Sequence, residues 1–227
     1  MSIRATVLVV AAGNSSRMGE NVNKQFLCIK NKPVLAYTLE AFEVLEEVYE
    51  IVVVTRTEDI PAVKALAEEY GINKVTAVIS GGKTRQESVY LGLQSVKEEH
   101  VLIHDGARPF VTDQEIKDVL EALVSYDAAL PAVPLKDTIK RVNADYEAVE
   151  TLQREALMAV QTPQGFRTKM IFDAHAKVRE DGVAVTDDAS IAEYMGIPVK
   201  IVKGSYQNIK ITTPEDILLA EAILSER

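Results

Sequence analysis

A mostly parallel, twisted Rossmann-like α/β sheet with helices on both faces is the fold class this sequence predicts. Three observations predict it. Short, continuously apolar, β-branched runs recur along the chain, longer amphipathic stretches separate them, and two of the runs break into small residues, Ala11-Ala12-Gly13 and Gly81-Gly82. Continuous apolarity marks strands buried on both faces. Strand–helix alternation places such strands in a parallel sheet covered by helices, with ligands at the carboxyl ends of the strands.

The elements follow in order. "TVLVVA" (6–11), "YEIVVVT" (49–55), "KVTAVIS" (74–80), "HVLIHDG" (100–106) and "AALPAVP" (128–134) read as buried strands. Between them "VLAYTLEAFEVLEE", "IPAVKALAEEYG" and "ESVYLGLQSVKEE" read as helices. "TDQEIKDVLEALVSY" starts with Thr112 followed by Glu115 three residues later, a capping box. "TPEDILLAEAIL" offers Thr213 as N-cap, Pro214 at the first helical position and Asp216 at the third. One stretch breaks the alternation: residues 136–155, "KDTIKRVNADYEAVETLQRE", form two partly alternating halves around "NADY". That pattern predicts a projecting β-hairpin. A lone hairpin is marginal in water, so a second copy of the chain is its expected support.

Composition narrows the function. With 227 residues, 47% hydrophobic and 26% charged, the chain has the make-up of one globular α/β domain with an appendage. Its net charge of −9 argues against a nucleic-acid partner, which requires a basic face. No apolar run approaches the roughly 18–20 residues of a membrane span. The start "MSIRATVLVVAAG" reads as a first strand rather than a signal peptide. A single cysteine, Cys28, and three scattered histidines point to a reducing, cytoplasmic setting without a structural zinc site.

Against this acidic background, positive charge gathers at strand ends. After the first strand, Ala11, Ala12 and Gly13 leave backbone amides open to close approach, and Arg17 and Lys24 follow in "NSSRMGENVNKQF". The loop is neither a P-loop nor the dinucleotide fingerprint, because the glycine spacing of both is absent. "SGGKTRQES" repeats the device with Gly81, Gly82 and the hydroxyl of Ser88. Asp105 ends a strand in "HDGARPF"; it could hold Mg²⁺ or a ligand hydroxyl, or pair with Arg108. His104 beside it reads as a packed core histidine. "QTPQGF", "VTDDAS" and "GSYQNIKITTPED" place further polar groups in apolar or turn contexts, with Lys210 expected on a strand between Ile209 and Ile211. Each loop alone is compatible with an ordinary turn and solvated charges; together they favour an anion site.

The stretches "AAGNSSRMG…NKQF", "GGKTRQESV", "HDGARPF", "VPLKDTIKR", "QTPQGF", "TDDAS" and "NIKITTPEDI", in this order, closely resemble the 2-C-methyl-D-erythritol 4-phosphate cytidylyltransferases. The similarity runs from about residue 4 to 224. It implies one nucleotidyltransferase domain over 1–227, a 136–155 arm exchanged between subunits of a homodimer, and Mg²⁺-dependent transfer of CMP from CTP to methylerythritol phosphate. It implies that Ala11, Ala12, Gly13, Gly81, Gly82 and Ser88 cradle the nucleotide, and that Arg17 and Lys24 are catalytic, holding the triphosphate and stabilising the charge at its α-phosphorus. Asp105, Thr138, Arg154, Thr162, Thr186 and Lys210 would contact the sugar phosphate, with Arg154 and Lys210 also catalytic and Asp105 the candidate metal ligand. Two positions depart from the family loop: Ser15 stands where a second glycine is common, and Asn23 where a proline is. Neither removes a charged group.

The implied chemistry agrees with what the sequence lacks. A phosphate monoester has its second pKa near 6 and is largely dianionic at neutral pH, so no general base is needed. The difficulty is bringing dianion to polyanion, which cations and positioning overcome. The rival readings are a ribitol 5-phosphate cytidylyltransferase and, from another class, a non-catalytic nucleotide-binding module.

Overall fold

The computed structural model describes residues 3–13 and 24–226, with Lys24 placed by its backbone alone. Its elements are β1 (Ala5–Val10), β2 (Cys28–Ile29), β3 (Lys32–Pro33), α1 (Val34–Glu43), β4 (Val48–Thr55), α2 (Ile60–Glu69), β5 (Val75–Ser80), α3 (Arg85–Leu93), β6 (His100–Asp105) and α4 (Asp113–Ala122). There follow β7 (Ala128–Pro134), β8 (Lys140–Val142), β9 (Ala148–Thr151), β10 (Met158–Val160), β11 (Gln164–Arg167), α5 (Thr168–Glu180), α6 (Asp188–Tyr194), β12 (Val199–Lys203) and α7 (Pro214–Glu226).

The main sheet has the order β10-β7-β11-β6-β1-β4-β5, with β12 also paired to β7. β6, β1, β4 and β5 are parallel neighbours, as the apolar runs predict. β11 is antiparallel to both β6 and β7, and β10 is antiparallel to β7. The sheet is therefore mixed on one side and parallel where the glycine loops emerge.

Alternation along the strands explains why both faces must be covered. Val7, Val9 and Val53 pack with Leu35, Leu39 and Phe42 of α1 and with Ile116 and Val119 of α4. Leu8, Val52 and Val54 face the other way, onto Val89 and Leu93 of α3 and Ile171 and Val178 of α5. The helix starts follow the sequence. Thr112 and Glu115 form the capping box of α4. At α7 the Asp216 carboxylate accepts from the backbone N–H groups of Thr212 (2.7 Å) and Thr213 (2.8 Å).

Two features differ from the sequence reading. Lys210 does not lie on a strand; residues 204–213 run as irregular backbone between β12 and α7. Five elements, β10, β11, α5, α6 and β12, occupy a region from which only isolated polar motifs were expected. The hairpin is present as β8 and β9, a separate two-stranded ribbon. Every residue from 140 to 151 is exposed.

Candidate active site

β1, β5 and β6 end on the same side of the sheet, so the segments that follow them converge. They enclose a cavity of about 670 Å³ whose lining includes Ala12, Gly13, Gly81, Gly82, Asp105 and Lys210. The walls are built tightly. Ala11 N–H donates to Val54 O at 2.7 Å, and its carbonyl accepts from the buried side chain of Gln25. Ala11 is thus consumed by the fold, while Ala12 and Gly13 face the cavity. On the facing wall Ser88, in the first turn of α3, donates to Thr84 O at 2.8 Å and accepts from Gly82 N–H at 3.1 Å. A methyl at Gly81 would lie 2.6 Å from Ala12 Cβ and 2.7 Å from Ser88 Oγ, so the two small-residue walls touch only because Gly81 has no side chain.

Charge concentrates at the β6 end. Lys210 Nζ lies 2.7 Å from Asp105 Oδ2, Arg85 Nε 3.4 Å from Oδ1, and Arg108 Nε 3.8 Å from Oδ2. Burial alone would raise the Asp105 carboxyl; Arg85 first, then Lys210 and Arg108, outweigh it and hold the group well below the usual carboxylate range. Asp105 is therefore an anion at neutral pH. Arg85 is balanced similarly: burial opposes its charge, but Asp188 and Asp105 raise its pKa above the ordinary value. Arg108 also donates from Nη1 to Asn208 O at 2.6 Å, which anchors the irregular segment carrying Lys210.

Among the residues singled out by sequence, Ala12, Gly13, Gly81, Gly82, Ser88, Asp105 and Lys210 meet at this cavity. Thr162 lies directly beneath it: its hydroxyl accepts from Asp105 N–H at 3.2 Å and pairs with His104 Nδ1 at 3.0 Å. Thr138, Arg154 and Thr186 are exposed and are not among the residues lining their own chain's cavity. Arg17 lies outside the described residues, and Lys24 opens the 3₁₀ turn that carries the cavity-lining Gln25. Sequence reasoning missed Arg85, Arg56 and Gln25 as lining residues. Arg85 and Gln25 sit inside quoted motifs, but no sequence signal assigns them a partner. Among the described residues no group of three or more His, Cys, Asp or Glu side chains gathers around a potential metal position. Of the carboxylates among the described lining residues, Glu58, Glu87 and Asp105, Asp105 is the buried one.

Comparison with known proteins places this architecture. The family model for 2-C-methyl-D-erythritol 4-phosphate cytidylyltransferase matches residues 5–226. The protein of that name from Halalkalibacterium halodurans is 47% identical over 223 residues, covering 98% of this chain and 97% of that protein. The one from Geobacillus kaustophilus is 48% identical over 221 residues, covering 97% and 96%. The crystal structure of 4-diphosphocytidyl-2C-methyl-D-erythritol synthase from Anaerococcus prevotii superposes with a TM-score of 0.87 at 31% identity, covering 99% of this chain and 97% of that one. The cytidylyltransferase structure from Thermus thermophilus gives 0.81 at 35% identity, covering 98% and 100%. Two small-residue walls at parallel strand ends, a buried carboxylate ringed by cations, and a match across nearly the whole chain lead to one assignment: the chain belongs to the 2-C-methyl-D-erythritol 4-phosphate cytidylyltransferase family.

Proposed function

We propose that the protein transfers CMP from CTP to 2-C-methyl-D-erythritol 4-phosphate, giving 4-diphosphocytidyl-2-C-methyl-D-erythritol and pyrophosphate. A phosphate oxygen of the acceptor forms a new bond to the α-phosphorus of CTP, and the bond from that phosphorus to the pyrophosphate oxygen breaks. No proton has to be removed from the nucleophile. The observation that carries this reading is the cavity itself, where backbone-lined walls suited to a base and phosphates meet Lys210, Arg85 and Asp105.

Ala12, Gly13, Gly81, Gly82 and Ser88 receive the nucleotide, with Ala11 fixing the first wall. Arg17, Lys24 and Lys210 neutralise phosphate charge as the transfer proceeds. The cavity also fits a magnesium ion of the kind held by one carboxylate together with substrate phosphates. Asp105 is the buried carboxylate among the described lining residues, and its cationic neighbours keep it ionised. When bound, the ion supplies further neutralisation of phosphate charge. Thr138, Arg154 and Thr186 reach the sugar phosphate of a neighbouring subunit or through the loop before α6, in a homodimer whose arms complete each other's sites. None of the described helices is long and apolar enough to cross a membrane, and the cytoplasm is the proposed setting.

The test is pyrophosphate release from CTP with a panel of polyol phosphates. Turnover is expected with methylerythritol phosphate and a kcat/KM at least about tenfold lower with ribitol 5-phosphate, the scale of one lost pocket contact. Preference for ribitol 5-phosphate supports the rival transferase. CTP binding without release on any acceptor supports a binding module.

A further inference from the structure

A line of polar side chains runs from the cavity into the packed interior, and the transfer reaction leaves it unexplained. Arg85, the first residue of α3, lines the cavity and donates from Nε to Asp105 Oδ1. Its Nη1 lies 2.7 Å from Oδ2 of Asp188, the first residue of α6. Asp188 is 1% exposed, and its Oδ1 accepts from His175 Nε2 at 3.2 Å. His175, on α5, is wholly buried, and its Nδ1 has no hydrogen-bond partner among the described residues. Three helices thus each contribute one member.

An ion pair with one end buried and the other half-exposed, as Asp188 and Arg85 are, contributes little net stability, because desolvation of the carboxylate offsets the attraction. Asp188 is also not the cap of its helix. Asp187 performs that role, accepting from Ser190 N–H at 3.0 Å, while Gln164 holds the other Asp187 oxygen at 2.7 Å. What the pair does accomplish is geometric. Arginine is a long, rotamer-rich side chain, and two carboxylates on different elements leave Arg85 one orientation. That orientation sets its Nε against the edge of Asp105 opposite Lys210. His175, with Nε2 donating, fixes the Asp188 carboxylate in turn, as an outer partner fixes a ligand.

We propose that Asp188, oriented by His175, is a positioning residue for the transfer reaction, fixing the Arg85 guanidinium and through it the Oδ1 edge of Asp105. The inference rests on the proposed function. It adds two residues that touch neither substrate.

The test separates position from charge. Asp188→Asn removes a negative charge beside an anion site, so electrostatics alone would hold or tighten CTP binding. Loss of position instead lowers kcat by about tenfold, the scale for outer partners, with KM for CTP no higher than in wild type. Arg85→Met is expected to lower kcat as well. In that background Asp188→Asn should add less than about twofold, because the two act as one unit. His175→Leu should show part of the Asp188→Asn loss, and His175→Gln, whose amide can donate from a similar place, should recover it. Circular dichroism and melting temperature are recorded for each variant. Should Asp188→Asn not fold, the His175 pair, measured with and without Arg85→Met, decides in the same way.

The proposal is overturned if kcat of folded Asp188→Asn stays within twofold of wild type, or if its effect multiplies with that of Arg85→Met. It is equally overturned if only KM rises. A wild-type protein that releases no pyrophosphate overturns the proposed function and this role together. An active wild type without the coupling pattern overturns this role alone.

Discussion

His104 sits directly under the Asp105 cluster and is wholly buried, with Phe42 packed edge-on at a centroid distance of 4.9 Å. Its Nε2 lies 3.0 Å from Arg108 O, which can only accept, so Nε2 carries the proton and Nδ1 accepts from Thr162 Oγ1. Burial, ahead of every other influence, pushes this imidazole down to about 4. An unfolded histidine titrates near 6.5, so between these values the unfolded chain binds the extra proton and stability is lost as the pH falls. About 2 kcal/mol should be lost between pH 7 and pH 5, approaching about 3 at lower pH. Asp105 acts in the same sense over a lower range: its depressed carboxyl contributes stability that is present above the unfolded value of about 4 and is lost as pH falls below it. Urea midpoints at pH 7, 6 and 5 for wild type and His104→Gln check this. The wild-type slope should be steep and that of the variant shallower; equal slopes refute the assignment. Residue identity alone could place His104 in the core, because an uncharged imidazole suits an apolar strand. It could not pair Arg85 with Asp188, since that contact joins helices from different halves of the chain.

Loops and strands show why some elements can be read and others cannot. β1, β4, β6 and β7 are buried on both faces over most of their length, and each leaves an apolar run. β5 leaves such a run too, but as the last strand of the sheet order it is only half-buried, not the fully buried strand its apolarity predicts. β10 and β11 have three and four residues, separated by the cis Thr162–Pro163 bond, too short to establish a period. β12 is half-exposed and alternates weakly. α5 did leave a signal: Ile171, Ala174, His175 and Val178 are its buried residues, spaced at three or four. The two small-residue loops, both legible, differ in what demands the glycine. At Gly81 the protein demands it, and Gly81→Val should destabilise by about 1–3 kcal/mol through overpacking against Ala12 and Ser88. At Gly13 an added methyl would meet nothing within 4 Å among the described residues, so the fold does not require it. A ligand lying against the backbone would. Gly13→Val is therefore expected to keep a melting temperature within a few degrees of wild type while CTP affinity falls about tenfold or more, about 1.4 kcal/mol per factor of ten. Unchanged CTP affinity by calorimetry in the folded variant removes the cradle role of this loop.

At the scale of the whole molecule, the arm is the part that its own chain does not account for. β8 and β9 pair only with each other in the sheet pattern, and Val142, Tyr146 and Val149 stand exposed along them. A two-stranded ribbon alone is marginal in water. Beyond it, Arg154 donates from Nη1 to Lys136 O at 2.9 Å and lies exposed, away from the lining of its own cavity. In the proposed homodimer this arginine would make a bidentate contact to phosphate in the site of a second copy. A twofold arrangement then gives each cavity Lys24 from one subunit and Arg154 from the other. On that basis Arg154→Ala and Lys24→Ala homodimers should each be nearly inactive. Losing a donor to transition-state charge costs about 10²–10³ in kcat. A mixed dimer of the two variants places both lesions in one site and leaves the other wild type at both positions. Differently tagged subunits, co-expressed and purified as the mixed dimer, should recover up to about half of wild-type activity. Sedimentation should show a dimer for wild type and for each variant. A folded mixed dimer as inactive as its parents, or a fully active monomer, rules out sites shared between subunits and returns Arg154 to the role of a surface charge.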